Sequence, residues 1–193
     1  MNQIRTFIAV DLPQPVLDTI EKDFFRLQKI LSKDLIRWVS IENIHLTLKF
    51  LGNTPTTHID FLKQILLHVA DSHAAFDLQI QSIGSFPSLK LPRVIWLGIL
   101  TSAALTSLQK EVDGAVTKLG YEKEARAFSA HLTLGRVKQN IQSSDLQKIR
   151  SALETFQLGK IPLAKVDSLH LYQSDLHANG SLYTKLFSVM LKR

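Results

Sequence analysis

The tetrapeptide His-Leu-Thr-Leu occurs twice, in "IHLTLKFLG" with its histidine at position 45 and in "AHLTLGRV" with its histidine at position 131. In a chain of 193 residues this repeat constrains the fold more than any other feature, because it points to an internal duplication with one copy in each half. Alternate side chains of a strand share a face, so His45 and Thr47 project to one side while Leu46 and Leu48 project to the other. His131 and Thr133 stand over Leu132 and Leu134 in the same way. Each copy therefore offers an imidazole and a hydroxyl to a polar face and two leucines to a core.

The flanking pattern repeats as well. "RTFIAVDL" (5–12) reads as a buried strand ended by Asp11 and Pro13, and Val16, Leu17, Ile20, Phe24, Leu27, Ile30 and Leu31 recur at the spacing of an amphipathic helix. "IRWVSIENIHLTLKFLG" returns to strand character and "TPTTHIDFLKQILLHVADS" to helix; "FDLQIQSIGSF" and "RVIWLGIL" predict two more strands. The second half gives a helix over about 103–119, the strand "FSAHLTLGRV", a helix over about 143–157, and the strands "VDSLHLYQSD" and "LYTKLFSVML". Each half thus reads as one α+β lobe. With no Gly/Ser-rich linker between them, a single bilobal domain over 1–193 is expected. "SFPSLKLPR" (85–93), with its two prolines, is expected to be a long surface loop beside the cleft between the lobes.

Composition narrows the function classes. Hydrophobic residues make up 45% of the chain, enough for a substantial core, yet runs such as "VIWLGIL" fall short of the roughly 20 residues that span a bilayer, so no membrane partner is expected. The N-terminus does not read as a signal peptide, and a cytoplasmic location is expected. Without cysteine there are no disulfides, thiolate metal sites or cysteine nucleophiles. The net charge of +6 leans toward polyanions such as RNA, although the basic residues are spread along the chain.

If a pseudo-twofold axis relates the halves, both histidines reach one small site. Two imidazoles titrating near pH ~6.5 supply a general base and a general acid, and two hydroxyls can donate to anionic oxygens, a set suited to in-line displacement at a phosphodiester. A metal site would want a carboxylate or third histidine, which neither motif strand contains, and His58, His68, His73, His170 and His177 lack HExxH spacing, so no metal is expected. There is no GxSxG, P-loop or GxGxxG. Arg136 lies at an odd offset from His131 and would point away unless Gly135 hosts a bulge that turns it toward a phosphate. Lys49 has the parity of His45 but is read as solvated. Of Phe7, Trp38, Phe50, Phe86 and Phe128, most are assigned to core packing, with Phe128 singled out to stack on a base. Binding without turnover stands as the alternative reading, against which the matched acid and base argue.

The paired motifs, "RTFIAVDLP", "RWVSIENIHLTLKFLG", "FPSLKLPRVIWLG", "FSAHLTLGRV" and "LYQSDLHANGSLYTKL" together resemble the two-histidine HxTx phosphoesterases, the RNA 2′,3′-cyclic phosphodiesterase or 2′-5′ RNA ligase family. The resemblance implies a bilobal fold of two antiparallel sheets with outer helices around a central cleft, and it implies hydrolysis of a terminal 2′,3′-cyclic phosphate to a 2′-phosphate without metal or other cofactor. It further implies that His45 protonates the departing 3′ oxygen, His131 activates water, Thr47 and Thr133 hold non-bridging oxygens, and Arg136 matches an arginine after the second motif. The expected partners are RNA ends or small cyclic nucleotides carrying that group, bound by a monomer. Ala130 stands where relatives commonly have proline.

Overall fold

The computed structural model describes residues 2–177 and 180–192. The strands are β1 (Gln3–Val10), β2 (Ile36–Trp38), β3 (Leu46–Pro55), β4 (Phe76–Leu78), β5 (Ile80–Ser88), β6 (Leu91–Ile99), β7 (His131–Val137), β8 (Ala164–Val166), β9 (Ser168–His177) and β10 (Gly180–Met190). The helices are α1 (Gln14–Ile30), α2 (Ile59–Ser72), α3 (Ala103–Thr117) and α4 (Ser143–Thr155). Pro15 sits in the first turn of α1, where its missing N–H costs nothing, and Val16, Leu17, Ile20, Phe24 and Leu27 form the buried stripe. Ser102 caps α3 by accepting the Leu105 N–H.

One lobe has the strand order β10-β9-β1-β3, the other β7-β6-β5 with β2 added to the far end of β7, and all the pairings are antiparallel. The two lobe sheets join at a single antiparallel pair, Leu46 opposite Leu132, between the two motif strands. On the pseudo-twofold axis that this pair marks, β1, β3 and β9 correspond to β6, β7 and β5. Each lobe therefore takes two strands from each repeat: β9 and β10, from the second, are added beside β1, and β5 and β2, from the first, are added to β6 and β7. A second crossing, β4 against β8, ties the repeats together again.

The helices are exchanged in the same sense. Helices α2 and α3 pack on the β3/β9/β10 side, and α4 packs on β5 and β6 beside α1. The expectation that each half of the sequence forms its own lobe is thus corrected. An isolated half would leave its central strand with one edge unpaired, and exchange covers that edge. Local periodicity carries no information about which repeat supplies the covering strand.

The segment 85–93 is a hairpin rather than a long loop, with strand pairing continuing to Ser88 opposite Leu91. Its prolines face each other, Pro87 opposite Pro92, at a register shift that follows a cis Phe86-Pro87 bond. Proline is tolerated there because β5 is an edge strand and the ladder is already interrupted.

Lys49 also departs from expectation, being only 6% exposed. Its ammonium lies 2.6 Å from Asp113 Oδ1 on α3 and donates to the Glu122 carbonyl at 2.6 Å. Removing one partner of a buried ion pair leaves a charge without compensation, so Asp113→Ala should destabilise the fold by about 3 to 5 kcal/mol in urea unfolding. The double replacement Lys49→Met with Asp113→Leu should cost much less; equal losses in the two proteins would show that the pair itself is not what matters.

Candidate active site

Both motif strands carry the same irregularity. In β3, Thr47 pairs with Ala9 and Lys49 with Ile8, so Leu48 is an extra residue against β1. In β7, Thr133 pairs with Trp96 and Gly135 with Ile95, so Leu134 is extra against β6. A bulge of one residue reverses side-chain parity beyond it. Lys49 is thereby sent to the core, and Gly135 occupies the matching place in β7. A Cβ on Gly135 would come within 2.7 Å of Ile36 Cγ2 and 2.9 Å of Trp38 Cε3, which explains why no side chain stands there. One residue further on, Phe50 and Arg136 turn back to the face of the histidines. Phe50 is 69% exposed.

His45, Thr47, Phe50, His131, Thr133 and Arg136 line one cleft of about 470 Å³. The imidazoles are held by identical bonds: His45 Nδ1–H donates to the Asn43 carbonyl at 2.8 Å, and His131 Nδ1–H donates to the Ser129 carbonyl at 2.7 Å. Each acceptor lies two residues before its histidine, just outside the strand. This fixes the tautomer and leaves both Nε2 atoms for the cleft. His45 Nε2 lies 3.0 Å from the Thr47 hydroxyl.

The settings of the two rings differ. His45 stacks on Phe7 with centroids 4.7 Å apart and meets Tyr183 edge-on at 5.2 Å. His131 meets the edge of Phe86 at 4.8 Å. Burial lowers the pKa of both; the Asn43 carbonyl and the Asp11 carboxylate partly offset this at His45, and the Ser129 carbonyl at His131. A charged His131 lowers His45 further, and Arg136 lowers His131. Behind Phe7 lies a polar cluster in which Asp11 accepts from Tyr172 at 2.8 Å and from Lys185 at 2.8 Å, with His170 Nε2 at 3.4 Å. Burial opposes the Asp11 charge, but these neighbours outweigh it and hold its pKa down, while burial and Asp11 together raise that of Tyr172. Among the described residues no group of three or more His, Cys, Asp or Glu is placed to hold a metal ion.

The family model described as "LigT like Phosphoesterase" matches twice, at residues 10–96 and 99–183. The chain belongs to this family. Among curated relatives, RNA 2′,3′-cyclic phosphodiesterase of Methanothermobacter thermautotrophicus is 30% identical over 95% of this chain and 97% of its own. The protein of the same name from Methanocaldococcus jannaschii is 32% identical over 93% and 96%. Two solved structures share the fold. A Thermus thermophilus protein superposes with TM-score 0.76 at 22% identity, covering 98% of both chains. Escherichia coli LigT complexed with 3′-AMP gives 0.75 at 24%, covering all of both chains. The two matched segments fall one in each half of the chain, and each contains one copy of the tetrapeptide.

Phe128 does not line the cleft and packs against the core. It lies in the irregular segment before β7, which starts only at His131, so the strand extrapolated back through "FSA" does not exist. The aromatics at the cleft are instead Trp38, Phe50, Phe86 and Tyr183. Sequence reasoning also missed Arg37, Asn43 and Ser181, which line the cleft from elements that carry no motif. No helix of the structure is long and apolar enough to cross a membrane.

Because burial disfavours the charged ring, both histidines should titrate below the ordinary value of 6.5 in the free protein, as side-chain nitrogen NMR would show. Replacing His131 by Ala removes a neighbouring cation and should raise the His45 midpoint. A midpoint above 7 for either ring in the intact protein would contradict the described burial.

Proposed function

We propose that this phosphoesterase hydrolyses RNA terminal 2′,3′-cyclic phosphate to a 2′-phosphate by paired-histidine acid/base catalysis, without a metal. The observation that carries the reading is the duplicated Nδ1–H bond to a backbone carbonyl, which leaves the Nε2 atoms of two histidines that line one cleft free for chemistry. Unlike a pure binding site, it holds two matched imidazoles in equivalent positions where one would suffice for a hydrogen bond. The curated relatives of that name point to the same substrate class.

In the proposed cycle, neutral His131 takes a proton from water at Nε2 as the water oxygen attacks phosphorus. The bond from phosphorus to the 3′ oxygen breaks opposite, and protonated His45 gives its Nε2 proton to that oxygen. The product carries a 2′-phosphate and a 3′-hydroxyl, His131 is left charged and His45 neutral, and exchange with solvent resets both. Thr47 and Thr133 donate to the non-bridging oxygens while Arg136 offsets their charge. The ribose lies on the leaving-group side, toward His45, where exposed Phe50 offers a ring for the base. With a 5′-hydroxyl in place of water, the same pair in the same roles would join it to the cyclic end as a 2′-5′ diester, and by microscopic reversibility the two would exchange roles in cleaving that linkage. We read the chain as a single bilobal domain acting as a monomer, because each repeat supplies one half of the pair.

Turnover of 2′,3′-cyclic AMP should persist in EDTA, and His45→Ala or His131→Ala should each lower kcat/KM by roughly 10² to 10⁴, the usual worth of a general acid or base. The double variant should lose far less than the product of the single losses, since both groups act on one transition state. Abolition by EDTA, or an unchanged rate in the His131 variant, would refute the mechanism.

A further inference from the structure

The pseudo-twofold axis gives residues of one lobe counterparts in the other, and around the two histidines those counterparts differ in kind. Val10 pairs with Leu46 as Leu97 pairs with Leu132, so Asp11, the residue after Val10, matches Gly98. Ala9 and Phe7 pair with His170 and Tyr172, while the matching Trp96 and Val94 pair with Gly84 and Phe86. Asp11, His170 and Tyr172 in the His45 lobe thus stand where Gly98, Gly84 and Phe86 stand in the His131 lobe. The Trp96 indole fills the second lobe, since a Cβ would lie 2.5 Å from it at Gly84 and 3.0 Å from it at Gly98.

One lobe folds with an apolar filling, so the polar cluster in the other is not something the sheet requires. It also opposes folding, because His170 is buried and its Nδ1 has no partner among the described residues. What the cluster does build is a column of three rings. His45 lies nearly flat on Phe7 (4.7 Å, 22°), and Phe7 nearly flat on Tyr172 (5.2 Å, 14°). The Tyr172 hydroxyl lies 2.9 and 2.8 Å from the two carboxylate oxygens of Asp11, and the Lys185 ammonium lies 2.8 Å from one of them. No described residue lining the cleft is acidic, and Asp11 is not part of that lining, so it can act on the chemistry only through the column and through its charge. The other titratable or charged groups on the elements around His45 are His170 on β9, Tyr183 and Lys185 on β10, and His131 and Arg136 on β7, each neutral or cationic. Glu42, in the turn before β3, is exposed, where water screens its charge.

We infer that Asp11 is a positioning residue for the reaction: through Tyr172 and Phe7 it fixes the plane of the His45 ring, and its negative charge favours the protonated ring that the acid role needs. At His45 burial favours the neutral ring, and the Asp11 carboxylate works against it. At His131 burial and, after it, Arg136 both favour the neutral ring that a base needs, and the place of Asp11 is taken by Gly98. The inference rests on the reading of the cleft as a paired-histidine site and adds what assigns acid and base to two otherwise equivalent copies.

Asp11→Asn keeps an oxygen that can accept from Tyr172 and removes the charge. In side-chain nitrogen NMR its His45 midpoint should fall below that of the native protein while the His131 midpoint stays in place. The pH optimum for hydrolysis of 2′,3′-cyclic AMP lies midway between the two midpoints, whichever is the higher, so it should move to lower pH. At pH 7 kcat should drop by about tenfold, short of the roughly 10² to 10⁴ that loss of the acid itself costs, with KM within about twofold of native. Lys185→Gln, a change at an exposed side chain, takes away the cation beside the carboxylate and should move the His45 midpoint up; it decides the matter if Asp11→Asn does not fold. An unmoved His45 midpoint in the folded variant, or an equal shift of both histidines, would overturn the inference. So would a lower kcat in Asp11→Asn with midpoints and pH optimum unchanged, which is the mark of a merely structural role. Should the native protein not turn over the cyclic nucleotide, the reading of the cleft fails, and the midpoints still judge Asp11.

Discussion

The extra leucine in each motif strand is the constraint on which the site depends. Without the bulges at Leu48 and Leu134, strict alternation would put Lys49 and Gly135 on the face of the histidines and turn Phe50 and Arg136 to the core side. With them, the histidine, the threonine and the residue five positions beyond the histidine share the cleft. The bulged leucines lose nothing, because Leu48 and Leu134 remain buried in the common core. The histidines are then finished by local chemistry: a backbone carbonyl two residues upstream fixes each ring.

The duplication makes the chemical groups equivalent and the surroundings unequal. Phe50 and Arg136 occupy the same position in the two copies, so one end of the cleft is apolar and aromatic and the other is cationic. His45 lies in an aromatic wall of Phe7 and Tyr183, backed by the Asp11 cluster, whereas His131 opens beside Arg136 toward a groove lined by basic residues. A symmetric pair of imidazoles can expel either ribose oxygen. The inequality of the two ends is what would make one of them the acid for a given substrate.

Much of this was legible in the chain. The helical stripe Val16–Leu27 and the two tetrapeptides sufficed for the elements and for the pairing of His45 and Thr47 with His131 and Thr133, because periodicity and repetition are local signals. What was not legible is non-local. Exchange of β5 and β9 between repeats depends on which edge needs covering, and the entry of Arg37 depends on β2 adding to β7. Phe128 was misassigned because a strand was extended backward through residues whose backbone the preceding loop controls. Lys49 was misassigned because parity holds only until a bulge, and Leu48 carries no residue-type signal for one. For Arg136 the adjacent Gly135 did give such a signal, since a residue without Cβ marks a close approach of Ile36 and Trp38.

The central claim is that two opposed histidines on unequal walls act on one phosphate with fixed direction. Phosphorus NMR of the product formed from 2′,3′-cyclic AMP tests it most directly. The account predicts a single product with phosphate on the 2′ oxygen and a free 3′-hydroxyl. A predominantly 3′-phosphate product, or a mixture of both, would contradict it.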